Sequence, residues 1–147
     1  MANLGKGFLR LSNATGIRRF GEQLTWVQEP DIFHMRLTGT FELDEFSKMM
    51  SWLKEWATDR PRVFVICDLT QLKNVSLNTR KYSKTQGRAT PANAVAVVYG
   101  ASFAVRVLAE MSMRARRALG MPDVADVVFV SGETEALEEI ERRRATP

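Results

Sequence analysis

Two stretches of this 147-residue chain carry side chains whose types and spacing suit recognition. The first begins where Asp68 and Thr70 leave the apolar run Val63–Cys67 and continues through Asn74-Val75-Ser76-Leu77-Asn78-Thr79-Arg80 to Lys81 and Lys84. In open α/β sheets, ligands sit beyond the carboxyl ends of strands. Ser76 and Asn78 are both good helix caps, and a helix start presents unpaired N–H groups and the positive end of the helix dipole. With Arg80, Lys81 and Lys84 beside it, this end suits an anion or a phosphorylated side chain, and it is the expected contact surface for a protein partner. The same residues would also make an ordinary capped helix with a solvated basic face. Charge distribution sharpens the expectation. Between Leu69 and Ala109 there is no Asp or Glu, whereas Lys73, Arg80, Lys81, Lys84, Arg88 and Arg106 all fall there.

The second stretch lies on the first helix expected, 41–58. Leu43, Phe46, Met50, Leu53 and Ala57 form one stripe, and Met49, Trp52 and Trp56 widen it beyond the roughly 100° that a sheet-covering helix needs. The surplus is either a large aromatic shoulder of the core or an apolar surface for a lipophilic ligand such as a lipid. A later helix, 103–119, is expected to bury Phe103, Ala104, Val107, Leu108, Met111, Ala115, Ala118 and Leu119, leaving Arg106, Arg116, Arg117, Met113 and Val105 outside.

Catalytic and metal chemistry finds no matching constellation. His34 is the only histidine and Cys67 the only cysteine. His34 alternates with Phe33 and Met35 as a strand residue does, and Cys67 sits in an apolar run as a small hydrophobe does. Neither a nucleophile–base pair, a ligand cluster nor a phosphate-binding Gly-rich loop is present. The expectation is a non-enzyme with no cofactor and no metal. The isoelectric point near 9.6 is not matched by a nucleic-acid-binding module, so nucleic acid is not favoured.

The elements that must position these residues follow from periodicity. The 45% hydrophobic and 26% charged content is that of a globular domain. No targeting segment and no run of about 18 apolar residues is apparent, so a cytoplasmic protein without a transmembrane segment is expected. Residues 1–22 have no clear period and are assigned to a flexible basic arm with a short strand near Phe8–Leu11; residues 23–147 form the domain. Leu24–Glu29 and Ile32–Thr40 flank a Pro30-Asp31 turn and form a hairpin. Strands at 63–69, 94–99 and 124–130 alternate with the helices already named, a short polar helix between 74 and 88, and a last helix at 133–144 whose acids precede its arginines. The order β-β-α-β-α-β-α-β-α implies a single α/β domain with a mostly parallel sheet of about five strands and an antiparallel edge strand.

This arrangement resembles the STAS-like, or SpoIIAA-like, domains of anti-sigma-factor antagonists, which are similar in fold to CRAL-TRIO lipid-binding domains. The resemblance rests on element order over about residues 24–144, on Gly39-Thr40-Phe41 before the first helix, on Asp68-Leu69-Thr70-Gln71-Leu72 after a buried strand, and on Arg80 after the loop. It implies a bacterial regulatory module that works by protein–protein interaction. In the signalling members an Asp-Ser pair at the start of the second helix carries a serine phosphorylated by a partner kinase. Here Ser76-Leu77-Asn78-Thr79 stands at that place without the pair, which leaves Ser76 and Thr79 as the hydroxyls for modification.

Overall fold

The computed structural model describes residues 15–85, 91, 93–120 and 126–146, with the main chain alone for 82–85, 108, 112, 113, 116 and 126. Its elements run β1 (Thr15–Phe20), β2 (Gln23–Gln28), β3 (Ile32–Phe41), α1 (Leu43–Ala57), β4 (Val63–Val75), α2 (Leu77–Thr85), β5 (Ala94–Tyr99), α3 (Phe103–Ala118), β6 (Asp126–Phe129) and α4 (Glu133–Arg144). Among the described residues, six strands form one sheet in sequence order. β1, β2 and β3 are antiparallel, and β3, β4, β5 and β6 are parallel. The mixed α/β sheet is thus as expected, with one strand more. The additional strand is β1, formed by residues assigned to the N-terminal arm. Its register with β2 is irregular between Thr15 and Arg18. The expected strand near Phe8–Leu11 lies outside the described residues.

Alternation along β3 and β4 sends side chains to two separate cores. Phe33, Met35 and Leu37 with Val63 and Val65 meet Met49, Met50, Leu53, Trp56 and Ala57 of α1, and Val105 of α3 joins the same cluster. Ile32, Phe64, Ile66, Val97 and Tyr99 meet Ala136 and Ile140 of α4 on the other face. The parallel crossovers step in one direction across the sheet, and crossovers of one hand then put α1 and α3 on a common face. α1 starts where the Glu42 N–H donates to the Glu45 carboxylate at 3.0 Å, with Asp44 and Glu45 at the positive end of its dipole.

α3 departs from the expected rotation. Val105, expected outside, is buried, whereas Phe103 is 84% exposed, Met111 54% and Leu119 65%. Two local anchors set this phase. The Ser102 hydroxyl accepts from the Val105 N–H at 3.2 Å, and the Arg106 guanidinium lies 5.1 Å from the centre of the Phe129 ring on β6.

Arginines tie together the end of the sheet where the parallel strands begin. Arg60 donates from Nε to the Trp56 carbonyl at 2.7 Å and from its terminal nitrogens to Glu29, and its guanidinium lies 4.2 Å above the Trp56 ring. Asn93 donates to the Arg60 carbonyl at 2.6 Å. Arg62 donates to the carbonyls of Arg143 and Thr146, and Arg144 pairs with Asp31. The hydrogen bond from Arg60 holds the Glu29 carboxyl below its usual range, so this pair stabilises above that range and its contribution fades as pH falls through it. An exposed ion pair alone contributes little, and the carbonyl hydrogen bond and ring stacking supply the rest. Arg60→Ala is expected to cost about 1–3 kcal/mol in urea unfolding at neutral pH; an unchanged midpoint would show that the staple is idle.

Candidate functional site

The site expected beyond the carboxyl end of β4 is built partly within that strand. β4 does not end near Leu69 but runs to Val75 beside β3. From the pair Arg36/Asp68 to the pair Phe41/Val75, β3 advances five residues while β4 advances seven. The surplus is taken up in two irregularities, opposite Arg36–Thr38 and Gly39–Thr40, which are β-bulges in their effect on the ladder.

Asp68 sits at the first of these and is buried. One carboxylate oxygen accepts from the Thr70 N–H at 3.0 Å and from the Thr70 hydroxyl at 2.6 Å; the other lies 3.5 Å from Arg36 Nε. The carboxylate therefore supplies an internal partner to a main-chain N–H at the irregularity. Across the same level, Gln23 spans a gap beside β3, its side-chain amide donating to the Thr38 carbonyl at 3.0 Å and accepting from the Thr38 N–H at 2.7 Å. Gln23 is wholly buried, so its amide takes the place of a strand's main chain.

Thr70 is in turn pressed against Gly100, just after β5. Gly100 has φ +78°, and a Cβ there would meet the Thr70 main-chain nitrogen at 2.8 Å and its Cα at 3.0 Å. Gly100→Ala combines left-handed strain with main-chain overlap, and is expected to cost upwards of about 2 kcal/mol in urea unfolding. A variant as stable as the parent would mean that the Thr70 bulge does not rest on Gly100.

Ser76, not Asn78, caps α2. Its hydroxyl accepts from the Thr79 N–H at 3.2 Å, and its own N–H donates to the Phe41 carbonyl at 3.1 Å. The Thr79 hydroxyl is 2.7 Å from Ser76 Oγ and donates to the same Phe41 carbonyl at 3.2 Å. The first turn of α2 is thus docked on the end of β3. Thr79 is buried while Ser76 is half-buried, so of the two hydroxyls Ser76 is the nearer to solvent. Arg80 is half-buried, and its Nε is enclosed without a hydrogen-bond partner among the described residues. Lys81 is exposed; the side chain of Lys84 lies outside the described residues. The structure brings Asp68, Thr70, Ser76, Thr79, Arg80 and Lys81 to one end of the sheet, with Asp68, Thr70 and Thr79 engaged in holding the turn.

The Met49, Trp52 and Trp56 group lies elsewhere and is largely consumed by packing. Met49 has no exposed surface and Trp56 is buried, its ring centre 5.6 Å from that of Phe33. Trp52 is half-buried beneath Arg18 of β1, whose guanidinium is 3.6 Å from the ring centre. The wide aromatic stripe is explained by β1, which extends the sheet face that α1 must cover. His34 is buried and stacked on Trp26 at 4.7 Å, with its Nε2 3.0 Å from Gln28 Oε1.

Cys67 adjoins the site. Burial, with a smaller effect from the Asp68 charge, pushes its thiol up from 9.0 to about 12. The burial that raises the thiol also encloses it, so a scarce thiolate and restricted access act together to keep reactivity low. With Ellman's reagent at pH 8 the folded chain is expected to react about a thousandfold more slowly than the unfolded chain, rising about tenfold per pH unit. Equal rates would contradict this. Because the folded thiol keeps its proton longer than the unfolded one, stability should decline as pH rises above 9.

No protein-family model matches the chain, and no curated protein is similar to it at a significant level. Among solved structures, the chain is similar to the unphosphorylated form of the anti-sigma factor antagonist SpoIIAA, with 13% identity and a TM-score of 0.49 over 82% of this chain and 96% of that one. It is likewise similar to a DUF3478-family protein with a SpoIIAA-like fold from Shewanella loihica PV-4, with 17% identity and a TM-score of 0.48 over 84% and 90% of the two chains. Both are likenesses of fold. At these values no residue role is carried over from either protein. Among the described residues no helix is long and apolar enough to cross a membrane.

Proposed function

We propose that this chain is a non-enzymatic regulatory or scaffolding module that docks a protein partner through the turn and helix of Asp68–Lys84. The observation that carries the reading is Leu77. It is 55% exposed at the first position of α2, with Arg80 and Lys81 one turn on and therefore adjacent on the helix surface. Lys73 is exposed just upstream, and no acid occurs between Leu69 and Ala109. An apolar side chain ringed by cations on a rigidly docked helix start suits an acidic surface with an apolar contact at its centre. Arginine and apolar anchors carry most of the energy at such contacts, while surrounding charges set rate and specificity.

The support is both mechanical and chemical. The Asp68–Thr70 and Ser76–Thr79–Phe41 hydrogen bonds hold the main chain on both sides of Lys73 and Leu77, so little order has to be acquired there on binding. Phosphorylation of Ser76 would add charge and acceptor oxygens at the start of α2, beside Arg80, which would make the same surface switchable.

The test is recovery of partners from an extract on immobilised chain, with Leu77→Asp/Arg80→Ala as control. The parent should retain a specific protein that the variant loses by about tenfold or more, and retention should weaken with added salt. Equal recovery of every protein by both would overturn the reading.

A further inference from the structure

The cations of this chain are gathered over one part of the fold. From Leu69 to Gly120 nine Lys and Arg stand against a single acid, Glu110, whereas the rest of the chain holds twelve cations and sixteen acids. That stretch contains α2 and α3, which pack beside each other. On α3, Arg106, Arg114 and Arg117 are exposed together with Glu110, so the helix meets solvent with an excess of positive charge.

The same helix displays apolar side chains along its length. Of the five large apolar side chains exposed among the described residues, three lie on α3 or just past its end: Phe103, Met111 and Leu119. Ala104 and Ala118 are exposed with them, and Val107 and Ala115 are half-buried. At about 100° per residue, Phe103 and Leu119 stand about 80° to either side of Met111, and the other four fall between them. The outward apolar surface is thus nearly half the circumference of the helix and about 24 Å long. Arg114 falls inside this arc, in direction between Phe103 and Val107, while Arg106, Glu110 and Arg117 border it beyond Phe103. The remaining side meets the protein, where Val105 enters the core.

We infer that α3 is a membrane-contact helix, which lies flat on an anionic lipid surface with its apolar half at the acyl boundary and its arginines among the headgroups. A helix that lies in a bilayer interface needs a wide apolar side with a basic border. Arg114 selects this occupant. A dry protein contact over the row would bury its guanidinium, which costs heavily without a partner. At a lipid surface its stem lies along the apolar row while its head reaches the phosphates. The spread of the large residues argues the same way. They diverge across half the helix at intervals of about 12 Å, and a fluid surface admits each of them separately. The excess charge over α2 and α3 is the complement of an anionic leaflet. Because few large side chains enter, binding needs anionic lipid as well as apolar contact.

Vesicle sedimentation tests the inference with two compositions, phosphatidylcholine alone and phosphatidylcholine with about one-third phosphatidylserine. The parent should pellet with the second, stay in solution with the first, and be released by added salt. Phe103→Glu/Met111→Glu and Arg114→Glu/Arg117→Glu should each weaken binding by about tenfold or more. Unchanged far-ultraviolet circular dichroism confirms that these surface variants fold. Leu77→Asp/Arg80→Ala should keep most of its vesicle binding, which separates this contact from the proposed partner surface on α2. A parent that binds neither composition or both equally overturns the inference. So does an α3 variant that binds as well as the parent, or complete loss of binding in the α2 variant. A parent that leaves vesicles unbound but doubles its 16.6 kDa mass in sedimentation equilibrium also overturns it, and would assign the row to a second copy.

Discussion

The end of this molecule that carries the proposed contact depends on a mismatch of length between two neighbouring strands. β3 and β4 share a parallel ladder, yet β4 carries two more residues over its last stretch. Parallel ladders space their hydrogen bonds evenly, so the surplus must be expelled as bulges whose main-chain groups need other partners. Asp68 answers this on β4 by accepting from Thr70; on the other side of β3, where β2 begins, the Gln23 amide pairs with Thr38. Both are buried. Loss of either would leave main-chain groups unsatisfied at the level from which the turn into α2 departs.

The two ends of the sheet are consequently organised by different means. Where the parallel strands start, arginine side chains reach across elements: Arg60 from the end of α1 to the hairpin turn, Arg62 to the end of α4, and Arg144 from α4 back to Asp31. Where the strands finish, short polar contacts keep the main chain in place and leave Leu77 and the adjacent cations outward. The first end is closed by its charges, while the second displays them.

Most of the fold was legible because its signals are local. Pro30-Asp31 between two apolar runs marks the hairpin, the acids of 42–45 mark the start of α1, and the continuous run 63–67 marks a strand buried on both faces. The far half of β4 was illegible for a physical reason. Its bulges break the two-residue alternation, so Leu69, Leu72 and Val75 recur every third residue and resemble no strand. β1 was missed because its first five residues are exposed, so it lacks a buried face. Trp52 held the trace of it, since its part of the excess width is what β1 covers. The rotation of α3 was unreadable because its apolar row is real; nothing in the periodicity says whether such a row meets the sheet or another molecule.

Amide hydrogen exchange on an Asp68→Ala variant tests most directly whether the Asp68 carboxylate organises this end of the sheet. Removal of that carboxylate should speed exchange at Leu69–Thr79, through the bulge and into the first turn of α2, while the β4 amides of Val63–Ile66 keep the protection of the parent. An unchanged pattern, or a loss spread evenly over all of β4, would contradict it.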